Sequence, residues 1–104
     1  MKKQNKKYWW VYLIECRNKS LYTGITTDVN RRFEEHQKNN KKASKYCVKL
    51  RPLKLVYSSL PFNNRREASK EEYRIKQLNH KQKKNFIKMR YEWSKKNTFW
   101  YMGI

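Results

Sequence analysis

Apolar and polar positions along the chain are strand-like at first and mainly helical later, with one strand between the helices. Residues 8–15 are aromatic and β-branched, a strand composition. Residues 16–20, Cys-Arg-Asn-Lys-Ser, are turn formers, and residues 21–25 resume a short strand, so the pair predicts a hairpin. From Val29 the period lengthens. Val29, Phe33 and His36 or Gln37 fall on one face of a helix that Thr27 or Asp28 can cap. Arg32 and His36 lie four apart on it, so their side chains reach one patch.

Residues 39–49 are polar and basic and predict a loop that also holds Tyr46. Pro52 precedes a third strand over 53–59, and Pro61-Phe62-Asn63 turns the chain. Asn64-Arg65-Arg66-Glu67 reads as a capping box for a helix running to about Leu78. A last helix starts within 79–82, with Phe86, Met89 or Arg90, and Trp93 as its stripe. Residues 99–104 are too apolar for a solvated tail. They are expected to pack on the domain, on a protein partner or on a second copy of the chain. This order predicts an α+β fold, a three-stranded antiparallel sheet flanked by helices. Its stretches are a basic arm over 1–7, a domain over 8–80, and a basic, aromatic C-terminal helix and tail over 81–104.

At 104 residues the chain has room for one domain. Its net charge of +19 attracts polyanions: nucleic acid first, an acidic membrane surface second, an acidic protein third. No run approaches the roughly 18 apolar residues that cross a bilayer. The charged start leads into an aromatic strand rather than an apolar leader, so a cytoplasmic location is expected. Cys16 and Cys47 form no CxxC pair, and no disulfide framework is expected. With His36 and His80 they match no common zinc spacing.

The candidate chemistry begins with Tyr12, Tyr22, Gly24, Arg32 and His36: two phenols, a glycine, a fixed cation and an imidazole within one strand-turn-strand-helix unit. Each has an ordinary reading. Strand tyrosines usually pack, and a strand glycine relaxes a strand end or admits a ligand's close approach. Glu72 adds a carboxylate. The predicted helix buries Ala68, Ile75 and Leu78, and position 72 reads on that stripe, with Glu67 and Glu71 largely off it. An inward carboxylate costs several kcal/mol unless paired. It marks either a salt bridge or a magnesium ligand, since magnesium commonly takes only one or two carboxylates.

The ordered set resembles the GIY-YIG nuclease family. The residues that carry the resemblance are Trp10-Val11-Tyr12, Leu21-Tyr22-Thr23-Gly24-Ile25-Thr26, Arg31-Arg32-Phe33 with His36, and Ala68-Ser69-Lys70-Glu71-Glu72-Tyr73. Lys45-Tyr46 and residues 51–56 are similar to its small, stand-alone bacterial branch. The resemblance implies cleavage of a nucleic-acid phosphodiester with one ion, Mg2+ (or Mn2+), held by Glu72. It implies Tyr12 as general base, Tyr22 orienting it, Arg32 opposite the phosphoryl oxygens, and His36 assisting proton transfer or positioning. A phenol titrates near 10, so dense positive charge is expected to bring phenolate within reach. Trp10 stands where the first motif has glycine, and Thr23 where the second has isoleucine.

Binding then falls to the chain's own basic surface. Lys38, Lys41, Lys42, Lys45, Lys49 and Arg51 cluster around the loop after the first helix, Lys81 and Lys84 lie on the last helix, and Gly24 offers close approach. Trp9, Trp93, Phe99 and Trp100 either stack on bases or pack. The expected activity is a metal-dependent endonuclease acting on DNA in repair, recombination or restriction-like processing. The alternative is a nucleic-acid-binding module of the same fold with little or partner-dependent catalysis.

Overall fold

The computed structural model describes residues 7–96. A three-stranded antiparallel sheet has β1 (Trp10–Glu15) at its centre, with β2 (Leu21–Thr26) on one edge and β3 (Lys54–Ser58) on the other. The predicted hairpin forms. The Cys16 amide donates to the Ser20 carbonyl at 2.9 Å, and Lys19 takes the left-handed conformation (φ 72°) that closes the turn. Two helices, α1 (Val29–Lys38) and α2 (Lys45–Lys49), lie between β2 and β3 in the chain, and two more, α3 (Arg65–Lys76) and α4 (His80–Lys96), follow β3. The expected α+β architecture is observed.

β1 is buried along Val11-Tyr12-Leu13-Ile14 because helices cover both faces of the sheet. Strand alternation divides these side chains between two cores. Val11 and Leu13 pack with Tyr57, Ala68 and Ile75 under α3 and α4. Tyr12 and Ile14 pack with Cys16, Cys47 and Leu53 under α1 and α2, where Val29 and Phe33 complete the cover. The two free cysteines are thus neighbours in one core.

Capping residues fix the helix starts. Asp28 accepts from the Arg31 amide at 3.0 Å, and Asn64 from the Glu67 amide at 2.9 Å. At α4 the box is reciprocal: Gln82 N–H donates to Asn79 Oδ1 at 2.8 Å, and Asn79 N–H to Gln82 Oε1 at 2.9 Å. Two expectations change. The loop over 39–49 contains α2, a single turn capped by Ser44 and pinned by buried Cys47. The inward stripe of α4 is the partly buried Phe86, Ile87 and Arg90, while Met89 and Trp93 of the expected stripe are exposed. At 100° per residue, Ile87 draws the inward axis towards Arg90 and away from Met89. Residues 1–6 of the basic arm and the apolar tail over 99–104 lie outside the described residues.

Candidate active site

Sheet register builds the first half of the site. Tyr12 pairs with Gly24 and Ile14 with Tyr22, so both tyrosines and the glycine share the α1 face. A Cβ on Gly24 would stand 2.6 Å from Tyr12 Cζ and closer still to the hydroxyl. The phenol lies across β2 in the space that the glycine leaves. Gly24 therefore has an internal reason to be glycine: Tyr12, rather than an approaching ligand, fills the position beside it. Tyr12 is 2 % exposed, and Tyr22 stands beside it with ring centroids 6.4 Å apart.

α1 brings the second half. His36 is fully buried, with its ring 5.9 Å from that of Tyr12 and edge-on to Tyr22 at 5.2 Å. The Ser44 backbone N–H donates to His36 Nδ1 at 3.2 Å, so that nitrogen carries no proton. The proton of the neutral ring then sits on Nε2, which donates to Tyr12 Oη at 2.9 Å. Burial, with the Arg32 and Arg51 cations behind it, pushes the imidazole down to about 4 against the opposing pull of Glu35. His36 is a neutral, one-directional donor to the phenol. That geometry assigns it positioning of Tyr12 rather than the taking up of its proton.

Burial also sets the state of Tyr12. It holds the phenol well above its ordinary value, helped by Tyr22, and the nearby Arg32 guanidinium pulls the other way without prevailing. The expected ready phenolate is therefore corrected: at this depth desolvation outweighs one adjacent cation. Arg32 itself is held through one nitrogen, which donates to Glu35 Oε1 and to the Lys42 carbonyl, both at 2.8 Å.

Tyr12, Tyr22, Arg32 and His36 are brought together. Glu72 comes from α3, whose Ala68 and Ile75 pack under the opposite face of the sheet, and its carboxylate pairs with Lys76 Nζ at 3.2 Å. The inward placement of Glu72 is corrected as well. Its side chain is 21 % exposed and that of Glu71 23 %, so the two flank the Ala68–Ile75 line alike. The helical step sets each about 50° off that line. Among the described residues, no three His, Cys, Asp or Glu side chains gather as a metal cluster.

The basic residues divide three ways. Lys38, Lys41, Lys42, Lys45 and Lys49 are exposed along the α1–α2 connection, with Lys38 also paired to Glu34 at 3.4 Å. Arg51 acts as a brace: its Nε donates to the His36 carbonyl and Nη1 to Asn40 Oδ1, while buried Nη2 has no hydrogen-bond partner among the described residues. Lys81 and Lys84 are exposed on α4, which packs against β3, and they form a separate basic surface. Sequence reasoning missed Ser44, Glu35 and Tyr46 as neighbours of the site. Tyr46 stacks on Tyr22 with centroids 6.3 Å apart and planes 22° from parallel. The legible signal was charge: no Asp or Glu stands between Glu35 and Glu67.

Comparison with known proteins agrees with this geometry. Residues 8–85 match the GIY-YIG catalytic domain. A UPF0213 protein of Cronobacter sakazakii is 48% identical over 79 residues, 76% of this chain and 80% of that one. UPF0213 protein YhbQ of Escherichia coli K12 is 43% identical over 79 residues, 76% of each chain. The solution NMR structure of EF2693 from E. faecalis superposes with a TM-score of 0.56 at 32% identity, covering 86% of this chain and 92% of that one. That of UPF0213 protein BH0048 from Bacillus halodurans gives 0.50 at 35%, covering 79% and 84%. Sheet order, helix placement and the ordered tyrosine, glycine, arginine and glutamate positions all lead to one assignment. The chain belongs to the GIY-YIG catalytic domain family, whose fold carries a nuclease-type function.

Proposed function

We propose that the protein is an endonuclease that hydrolyses DNA phosphodiesters: Tyr12 first loses its own phenol proton to solvent, and the small phenolate fraction so formed accepts the proton of the attacking water. The observation that carries this reading is the hydrogen bond from neutral His36 Nε2 to Tyr12 Oη, made beside the Arg32 guanidinium. Any buried phenol needs a hydrogen-bond partner, but the partner here is an N–H that donates to the oxygen, with a guanidinium nearby. Here the His36 N–H and the Arg32 charge both favour the phenolate over the phenol. Tyr22 packs against both rings and keeps them in place. Arg32, once its guanidinium turns from Glu35 and the Lys42 carbonyl, is the cation available to the phosphoryl oxygens.

Glu72 would hold one divalent ion, magnesium or manganese. It suits the role as a single hard oxygen donor, partly exposed, which leaves coordination positions for water and phosphate. When bound, such an ion supplies positive charge to neutralise the phosphate. The exposed lysines from Lys38 to Lys49 carry the DNA backbone to the site, and the activity fits repair, recombination or restriction-like processing.

A substrate panel tests the reading. Wild type, Arg32→Ala and Glu72→Ala are incubated with plasmid, nicked, branched and single-stranded DNA in magnesium or manganese. The expected result is cleavage of at least one substrate by wild type and loss of about a hundredfold or more in each variant. Binding without cutting on every substrate would leave a nucleic-acid-binding module and sink the endonuclease.

A further inference from the structure

Tyr46 is an exposed ring that is held still. It lies on α2, its face stacked on Tyr22, and it is 45 % exposed. Its hydroxyl donates to Ser20 Oγ at 2.5 Å, and Ser20 Oγ donates on to Asn18 Oδ1 at 2.6 Å. The ring is thus fixed at its face and at its tip, from a helix on one side and the β1–β2 turn on the other. Neither core includes it. An immobilised, half-exposed aromatic has already spent the entropy that a binding contact would cost, which is the property of a preorganised platform.

Position says what the platform meets. Tyr22 and His36 lie edge to face, and His36 donates to Tyr12, so the stack Tyr46–Tyr22 starts at the reacting phenol and ends at solvent. The exposed charges that flank Tyr46 in sequence are Lys42, Lys45 and Lys49, the last two on the same short helix. A flat apolar face in a cationic rim, next to the group that would meet the scissile phosphate, fits a nucleobase attached to that phosphate's neighbour. A paired base inside a duplex has both faces covered by its own stack. Tyr46 can engage only a base with a free face: one that is unpaired, bulged, flapped or at a nick.

We propose that Tyr46 is a specificity-determining residue that stacks an unpaired nucleobase beside the cleaved phosphodiester and so directs the enzyme to locally unstacked DNA. Cleavage at that phosphodiester rests on the endonuclease reading, whereas the stacking itself is measurable without turnover.

The experiment uses a fully paired short duplex and the same duplex with one unpaired fluorescent base, 2-aminopurine, in EDTA. The full-length chain is compared with Tyr46→Phe, Tyr46→Leu and Tyr46→Ala. Wild type and Tyr46→Phe are expected to bind the unpaired duplex about tenfold or more tightly than the paired one and to quench its fluorescence. Tyr46→Leu, which keeps apolar cover over Tyr22, and Tyr46→Ala are expected to lose both the preference and the quenching. Their affinity for the paired duplex should stay within about twofold. A Tyr46→Leu protein that keeps preference and quenching, or that weakens both duplexes equally, overturns the proposal. The same preparations are scored for cutting in magnesium. Lost stacking discrimination with cutting retained on all substrates alike supports Tyr46 as the selector. Wild type that cuts but shows no stacking preference sinks Tyr46 alone, and wild type that stacks but never cuts sinks only the endonuclease.

Discussion

Gly24 carries an unusual share of the site, because its missing side chain is where Tyr12 lies. Gly24→Ala places a methyl against the phenol, so the ring must move or the strands must part. The expected cost is about 1–3 kcal/mol of stability, with activity down about tenfold or more as Oη leaves His36 Nε2. Paired melting and cleavage measurements check both. Thr23, on the opposite face of the same strand, is buried with no hydrogen-bond partner for its hydroxyl among the described residues. Thr23→Val, the same shape without the hydroxyl, is expected to raise stability by about 1 kcal/mol, seen as a melting point about 4–8 °C higher. His36 predicts a pH effect. Its value falls from 6.5 to about 4 on folding, so between those pH values the unfolded chain binds a proton that the folded one refuses. Stability is then full above pH 6.5 and declines as pH falls to about 4, by up to about 3 kcal/mol. His36→Gln is expected to flatten that slope in melting curves taken across the window. At this scale the sequence pointed to these residues, but not to what each one touches. The reason for Gly24 is a cross-strand contact, and the tautomer of His36 depends on an amide eight residues away.

The elements were legible wherever their signals are local. The turn after β1 and the Asn64 box gave the strand and helix boundaries nearly as observed, since each is made by neighbours in sequence. α2 was not legible because five residues are too few to display a period, and its anchor, Cys47, gains meaning only beside Tyr12 and Cys16. Yet the connection over 39–51 touches the site at several points. The Lys42 carbonyl holds Arg32, the Ser44 amide holds His36, Tyr46 stacks on Tyr22, and Arg51 grips the His36 carbonyl. On the proposed reading, phosphate contacts made by this segment's lysines would therefore bear directly on Tyr12, Tyr22, Arg32 and His36. The α4 box gives a separate test of how the last helix belongs to the whole. Asn79→Ala is expected to cost about 1 kcal/mol and to lower the single melting transition by about 4–8 °C. An unchanged transition with a smaller helical signal would mean that α4 frays independently of the domain.

Across the whole molecule, the sheet separates two kinds of work. Its α3–α4 face is mostly cover, built from Val11, Leu13, Ala68, Ile75 and Phe86, whereas its α1–α2 face carries the phenols, the imidazole and the guanidinium. Glu72 is the exception, a carboxylate at the margin of the covering helix, and its sequence period alone could not separate it from Glu71. The net charge of +19 makes binding strongly dependent on salt. With about six to ten phosphate contacts, affinity is expected to fall about a thousandfold or more between 50 and 200 mM salt, as titrations at several salt concentrations would show. The central claim is narrower than charge: the Tyr12 oxygen reacts. Its most direct test is the single-turnover cleavage rate of wild type and Tyr12→Phe on the best substrate, with protein in excess and magnesium present. Removing that one oxygen leaves the packing of the ring in place. The rate is expected to fall by about 100- to 10,000-fold, the range for loss of a general base, with DNA affinity unchanged within about twofold. A Tyr12→Phe protein that cuts within about twofold of wild type would contradict the claim.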